Sequence, residues 1–381
     1  MPHQDTSRTS RRRFLQTTAV GGALLLGSGS ATATRSEGAG RTHMDVTYAT
    51  REGGERRTGG DLKLDLYLPD REGPVPLVVY VHGGGWLVNT RKQTLGVERF
   101  TERGYAVASI DYRLSYVPDD VTPIIRPDPD NPTPRGVFPD PIVDVKAAIR
   151  WLRAHADEYG IDPRRIATWG SSAGSHLAAL AGTMDDVEEV EGRLYDVTPT
   201  VHPDESGRVQ GVVGWYTPTD FLLMDEQAGS LGHFDHEASN SPESLLVGGD
   251  INRNALRVRR ANPLTYLDVD DPPFLLMHGR QDGTVPYEQS EVLFEKLGDV
   301  RVDATFYVLD GLHHAFGFDD LESTPRADQT VRTTGDGHPD RGHLEDPSDW
   351  PAAGADAIEQ FLDGTIGRGR GDATHDHPQR G

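Results

Sequence analysis

The sequence predicts an α/β fold in which a mainly parallel sheet carries helices on both faces. Two observations point there. Continuous apolar runs, 77–81 and 105–110 among them, have the length and composition of strands buried on both faces. Stretches with the apolar spacing of amphipathic helices separate such runs along the chain. The chain has 381 residues, enough to bury a large core without disulfide or metal staples.

Residues 34–43 read as a polar linker, and a single domain is expected over 44–367. Leu62, Leu64, Leu66 and Leu68 alternate with polar residues, the period of a half-buried strand. A turn at 69–76 leads into the buried strand 77–81, and a second buried strand follows at 105–110. Segment 115–140 is rich in Pro and Asp and reads as a long irregular loop. Ile142, Val145, Ala148, Ile149 and Leu152 give 141–159 helical spacing, with Pro141 at its start. A short strand at 165–169 precedes a small-residue helix at 172–182. Further strands are expected at 209–216, 273–278 and 304–309, with an irregular stretch at 217–262 and a helix near 287–298 between them. Segment 318–350 is a second polar insertion, 352–362 a closing helix, and 368–381 a flexible tail. The sequence contains no internal repeat.

Composition excludes several classes of function. The chain has no Cys, so it has no disulfide framework, thiolate metal site or thiol nucleophile. Acids outnumber bases 60 to 38, giving a net charge of −22. Such a balance repels a phosphate backbone and an anionic membrane surface. Only four of the bases are Lys (Lys63, Lys92, Lys146 and Lys296), leaving 34 Arg. Acid-rich, Lys-poor composition suits a protein that works in saturating salt, where self-repulsion is screened.

The first 33 residues have the layout of an export signal. Ser10-Arg11-Arg12-Arg13-Phe14-Leu15-Gln16 precedes a short apolar stretch, and Ala31-Thr32-Ala33 offers a small-residue cleavage site. The apolar stretch is well short of the ~20 residues that span a bilayer. Paired Arg11 and Arg12 followed by Phe14 and Leu15 resemble a twin-arginine signal, which addresses folded proteins to an export machinery. Removal of 1–33 would leave a soluble, extracellular chain with 34 bases, 59 acids and a net charge of −25.

Trp169-Gly170-Ser171-Ser172-Ala173-Gly174 places G-x-S-x-G between a predicted strand and a predicted helix. A nucleophilic serine needs such a tight turn to stand clear of the sheet, and the following helix aims its N-terminal amides at developing negative charge. Ser172 is the candidate nucleophile and Ser171 a turn residue. His82-Gly83-Gly84-Gly85-Trp86 directly follows the strand 77–81. Its glycines allow a close backbone approach, so the amides of Gly84 and Gly85, with that of Ala173, are the candidate oxyanion donors. His82 is expected to brace this loop. Asp282 lies just past the strand 273–278, at the carboxyl edge of the sheet, and is the candidate acid. Strand 304–309 runs into Asp310-Gly311-Leu312-His313-His314, so one of two adjacent histidines is the candidate base.

The motifs HGGGW, Asp111-Tyr112-Arg113, RWLRAHADEYGIDPRRI, WGSSAG, HLAAL, PTDF, PPFLLMHGRQDGTVPYEQS and HHAF, in this order, resemble the α/β-hydrolase esterases. The branch they resemble is the lipase and esterase group that includes bifunctional feruloyl and acetyl-xylan esterase-like proteins, with hormone-sensitive-lipase-type esterases further away. The resemblance covers most of 60–317. It implies an eight-stranded sheet, loop or cap insertions, no cofactor and a Ser-Asp-His triad. It places the nucleophile at Ser172, the acid at Asp282 and the base at His314, since Gly311, His314, Ala315 and Phe316 fit the family's turn. The implied activity is hydrolysis of carboxylic esters, free or attached to a polysaccharide. The alternatives are a peptidase or amidase on the same fold, or a non-catalytic binding protein. Ser175 stands where the family often has Gly, and insertions 115–140 and 318–350 lengthen the rim of the site.

Other signals carry less. His233 and His236, three residues apart, have metal-ligand chemistry but read as exposed polar residues. Asp128, Asp130 and Asn131 offer oxygen ligands without an EF-hand pattern and read as a rigid solvated loop. Trp86, Trp169 and Trp215 adjoin the motifs and could line a pocket or fill the core.

Overall fold

The computed structural model describes residues 41–185, 201–334 and 343–367. The expected leader with Arg11 and Arg12, residues 34–40 of the linker and the tail 368–381 lie outside the described residues. The chain begins with an antiparallel hairpin of β1 (Thr42–Arg51) and β2 (Gly60–Tyr67). The alternation of Leu62, Leu64 and Leu66 forms β2, and all three side chains are fully buried. β1 reaches two residues into the segment read as linker. Register shifts between His43 and Val46 and between Thr47 and Ala49 break its two-residue period, which hides it in the sequence.

The apolar runs form the centre of the sheet. β3 (Val75–Val81) is buried along its whole length and pairs in parallel with β4 (Ala106–Ile110) and β7 (Ile161–Ser171). Between β3 and β4 lies α1 (Val97–Glu102). Within the insertion 115–140, β5 (Leu114–Ser115) and β6 (Arg135–Gly136) make a small parallel ladder of their own. The predicted helix over 141–159 is divided at His155 into α2 (Asp140–Ala154) and α3 (Ala156–Tyr159). α4 (Ala173–Thr183) follows β7. The sheet continues in parallel through β8 (Val212–Trp215), β9 (Phe274–Gly279) and β10 (Ala304–Leu309).

Among the described residues the main sheet has ten strands, in the order β1-β2-β4-β3-β7-β8-β9-β10 followed by β11 (Gln329–Thr333) and β12 (His343–Glu345). The first eight correspond to the eight strands expected. The other two come from the insertion 318–350, which adds antiparallel strands along the outer edge of β10 and so covers an open row of hydrogen-bonding groups. The segment 217–262 also differs from the irregular stretch expected. It contains helices Met224–Ala228, Pro242–Val247 and Ala255–Ala261. Each is under two turns, too short to impose a helical period on the sequence.

Alternate residues of β3 feed cores on opposite faces of the sheet. Leu77, Val79 and Val81 pack with α2 and α4 residues such as Ile149 and Leu177. Val78 and Tyr80 pack with Phe100 of α1 and with Ile358 and Leu362 of the closing helix Ala355–Thr365. Buried ion pairs tie β1 and α2 to the chain after β4. Arg113 pairs with Asp144 at 2.7 Å and with Asp140 at 3.1 Å, and Arg51 pairs with Asp144 at 2.9 Å. Of the four lysines, Lys146 is buried, and its Nζ donates to the carbonyls of Ala181, Met184 and Gly207 near the end of α4.

Candidate active site

β7 ends at Ser171 and α4 begins at Ala173, so the reversal falls on Ser172. Its backbone takes φ 53° and ψ −125°, a conformation that costs a non-glycine residue about 1–3 kcal/mol. The flanking glycines make this turn sterically possible. A Cβ on Gly170 would lie 2.2 Å from the Gly174 carbonyl oxygen, and one on Gly174 would lie 2.0 Å from the Val81 carbonyl oxygen. The Ser172 amide donates to the Trp215 carbonyl at 2.9 Å, which ties the turn to β8. Ser171 is buried, with its Oγ 3.4 Å from the Tyr80 hydroxyl.

The loop after β10 brings His314 over this turn. Its Nε2 is 3.1 Å from Ser172 Oγ, and its Nδ1 is 2.7 Å from Asp282 Oδ2. A carboxylate only accepts, so Nδ1 carries the hydrogen and Nε2 is free to accept the serine proton. His313 is exposed and turns away, with its Nδ1 2.9 Å from the Gln281 carbonyl oxygen. Asp282 is buried in the turn that follows β9. Its Oδ1 accepts from the amides of Thr284 and Val285, both at 2.8 Å. Burial opposes the carboxylate charge, but hydrogen bonds from His278 and His314 outweigh it and hold this carboxyl well below the usual range.

His278 is a member of the site that sequence reasoning missed. It is fully buried near the end of β9. Its Nε2 is 3.2 Å from Asp282 Oδ2 and 2.9 Å from the Val285 carbonyl oxygen. Both neighbours are acceptors, so Nε2 carries the hydrogen and Nδ1 accepts from Ser290 Oγ at 2.7 Å. The available signal was a polar side chain closing the otherwise apolar buried run of Phe274, Leu275, Leu276 and Met277.

Gly84 and Gly85 line the same cavity as Ser172, at φ 112° and 58°. These are left-handed conformations that favour glycine. The amide of Ala173 opens α4, where no intrahelical acceptor is available. Among the described residues, none of these three amides has a hydrogen-bond partner. His82 is fully buried beneath the loop, stacked on Tyr112 with its Nδ1 2.9 Å from the Gly83 carbonyl oxygen. Burial lowers its proton affinity.

The cavity is about 580 Å³. Trp86 lines it, whereas Trp169 and Trp215 lie in the core on the Tyr80 face of the sheet. Insertion 115–140 contributes Ile125 to the wall. Ser175 is buried and bonds Thr217 Oγ1 at 2.6 Å, and it fits because β8 presents Gly214 opposite it. Asp128 accepts from the Asp130 amide at 3.0 Å in a local turn. His233 is exposed, but His236 is buried against Glu243, contrary to the exposed position expected. Both His236 and Glu243 line the cavity. A larger cavity of about 1010 Å³, beside β10 and the closing helix, contains none of the predicted site residues.

The arrangement can carry out nucleophilic substitution at a carbonyl. It offers a serine hydroxyl with a proton acceptor at 3.1 Å, a buried carboxylate behind that acceptor and unpaired amides beside the hydroxyl. Residues 64–126 and 131–297 match the BD-FAE family. The probable carboxylic ester hydrolase LipM of Mycobacterium tuberculosis is 29% identical over 268 residues, covering 69% of this chain and 53% of LipM. Esterase LipC of the same organism is 31% identical over 255 residues, covering 64% of this chain and 53% of LipC. The chain thus spans about half the length of these relatives. A solved structure, a truncated form of a carbohydrate esterase from gut microbiota, shares 26% identity, with a TM-score of 0.58, over 74% of this chain and 92% of its own.

Proposed function

The chain belongs to the BD-FAE family, and on that premise we propose that it is a serine carboxylic-ester hydrolase working through an acyl-enzyme on Ser172. One observation carries the reading, the continuous relay from Ser172 Oγ through His314 to Asp282 at 3.1 and 2.7 Å. Ser172 Oγ attacks the ester carbonyl carbon while His314 Nε2 takes its proton. The carbonyl oxygen becomes an oxyanion that accepts from the amides of Gly84, Gly85 and Ala173. Asp282 orients the imidazole and balances the charge it gains. His314 then returns the proton to the leaving alcohol oxygen, the C–O bond breaks, and the acyl group remains on Ser172. A water molecule, deprotonated by His314, releases the acid and restores the enzyme.

The similarity to a carbohydrate esterase supports an ester whose alcohol is part of a sugar or polysaccharide. Export by the twin-arginine route is consistent with such a substrate, because a polysaccharide is met outside the cell. Paired p-nitrophenyl acetate and p-nitroacetanilide test the reaction class. Turnover of the ester with the anilide left intact is expected, and cleavage of the anilide at a comparable rate would make the protein an amidase. Replacing Arg11 and Arg12 together by Lys should retain the precursor inside the cell, because the export receptor reads the guanidinium pair rather than simple charge. Unchanged appearance of the enzyme in the medium would rule out this route.

A further inference from the structure

Asn89 lines the Ser172 cavity and has no place in the relay. Its backbone is left-handed, at φ 78°, a conformation that asparagine tolerates better than most residues other than glycine. Its side chain donates from Nδ2 to the Gly83 carbonyl oxygen at 3.2 Å. His82 Nδ1 reaches the same oxygen at 2.9 Å, and because a carbonyl only accepts, that nitrogen carries the hydrogen. The peptide held in this way runs beside the nucleophile, since a Cβ on Gly83 would lie 3.3 Å from Ser172 Cβ.

These bonds fix the other end of the peptide. The Gly83 carbonyl and the Gly84 amide belong to one trans peptide unit, so they point in opposite directions. Holding the oxygen therefore sets the direction of the N–H. A carbonyl that accepts two hydrogen bonds also polarises its peptide and strengthens that N–H as a donor. The unit joins two glycines, and without Cβ atoms it can turn over about Gly83 ψ and Gly84 φ at little steric cost. The next unit is held differently. The Gly84 carbonyl accepts from the amides of Leu87 and Val88 at 3.0 and 3.1 Å, so backbone bonds set the Gly85 amide. Of these two donors, the Gly84 amide is the one that depends on side chains. Asn89 is itself anchored by the insertion 115–140. Asn131 Nδ2 donates to the Asn89 carbonyl at 2.9 Å, Asn131 Oδ1 accepts from the Thr133 amide at 3.0 Å, and the Asn131 amide donates to the Asp128 carbonyl at 3.2 Å.

We propose that Asn89 is a positioning residue of the oxyanion site, which locks the Gly84 amide in the direction of the ester's carbonyl oxygen, and that the turn at 128–131 holds Asn89 in place. This assignment rests on the reading of Ser172 as the nucleophile of an ester hydrolase. A donor set in advance stabilises the charge that develops in the transition state more than it stabilises the neutral substrate. Its loss therefore falls on kcat rather than on KM.

The test compares the full-length wild-type enzyme with Asn89→Gly and Asn89→Asp on p-nitrophenyl acetate at molar salt, together with inhibition by trifluoroacetone. Glycine takes the left-handed backbone without strain and removes the donor. Aspartate keeps the shape, but its carboxylate cannot donate, so either folded variant suffices for the comparison. One oxyanion donor is worth about 10²–10³-fold in kcat, and His82 stays on the carbonyl, so the expected loss is about 10-fold or more in kcat. KM should stay within about threefold of wild type. Trifluoroacetone takes Ser172 Oγ at its carbonyl carbon, the proton passes to His314, and the carbonyl oxygen becomes an oxyanion on the same amides. Its inhibition constant should rise by the factor by which kcat/KM falls. An unchanged kcat in a folded variant would overturn the assignment. A rise in KM with kcat unchanged would overturn it as well, by making Asn89 a substrate contact. So would a wild-type inhibition constant beside a reduced kcat, because the loss would then lie away from the oxyanion. An active wild type with unaffected variants removes the role of Asn89 alone, whereas a wild type without p-nitrophenyl acetate turnover removes the reading on which that role rests.

Discussion

Ser172 and His314 are both fixed by backbone that ordinary residues avoid. Ser172 sits at φ 53°, and Ala315, the residue after His314, at φ 61°. The two turns hold Ser172 Oγ and His314 Nε2 3.1 Å apart, although 142 residues separate them in the chain. His313 leaves the same loop toward the Gln281 carbonyl oxygen, 2.9 Å from its Nδ1. Single alanine variants should separate the two histidines. His314→Ala is expected to lose roughly 10⁴-fold or more in turnover, since relay members act as a unit. His313→Ala should lose less than about tenfold, the effect of a slightly displaced rim. Assays of both at one pH and salt concentration check this, and a dead His313 variant beside an active His314 variant would exchange their roles.

At the scale of elements, what was legible in the sequence follows from burial. Strands β3, β4, β9 and β10 are buried on both faces, so their apolar runs stand out, and Ser172, Asp282 and the histidine pair lie directly after buried strands. Motif and position therefore agreed at each of those residues. β11 was not legible, because it is an added edge strand in which Val331 and Gln329 are the buried residues and the other positions are polar. β1 was obscured by its register shifts, and the cavity wall from 217–262 by helices of five to seven residues. His236 and Glu243 lie in that last segment. A histidine and a glutamate in a polar stretch give no sign that tertiary packing buries them together. His278 was hidden for a different reason, since its partner Asp282 already had an assigned role.

For the whole molecule, the governing feature is charge. The net −22 becomes −25 if residues 1–33 are removed. Lys146 satisfies buried carbonyls, and Lys92 and Lys296 pair with carboxylates, which leaves most of the acid excess to be screened by solvent ions. Lowering salt from molar to ~0.1 M lengthens the Debye distance from ~3 to ~10 Å, so more of the carboxylates repel one another. The melting temperature of the protein should therefore fall as salt is withdrawn. Thermal unfolding followed across that range checks it, and an invariant melting temperature would show that the acidic surface is no adaptation to salt. No helix among the described residues is long and apolar enough to cross a membrane.

The central claim is that Ser172 is the group acylated by the substrate. Measuring kcat/KM of Ser172→Ala on p-nitrophenyl acetate at molar salt, with folding verified by an unchanged unfolding transition, tests it most directly. Removing the hydroxyl leaves His314 and Asp282 in place but gives them no nucleophile, so the expected loss is roughly 10⁴-fold or more. A folded variant that keeps a tenth of the wild-type activity would contradict the account.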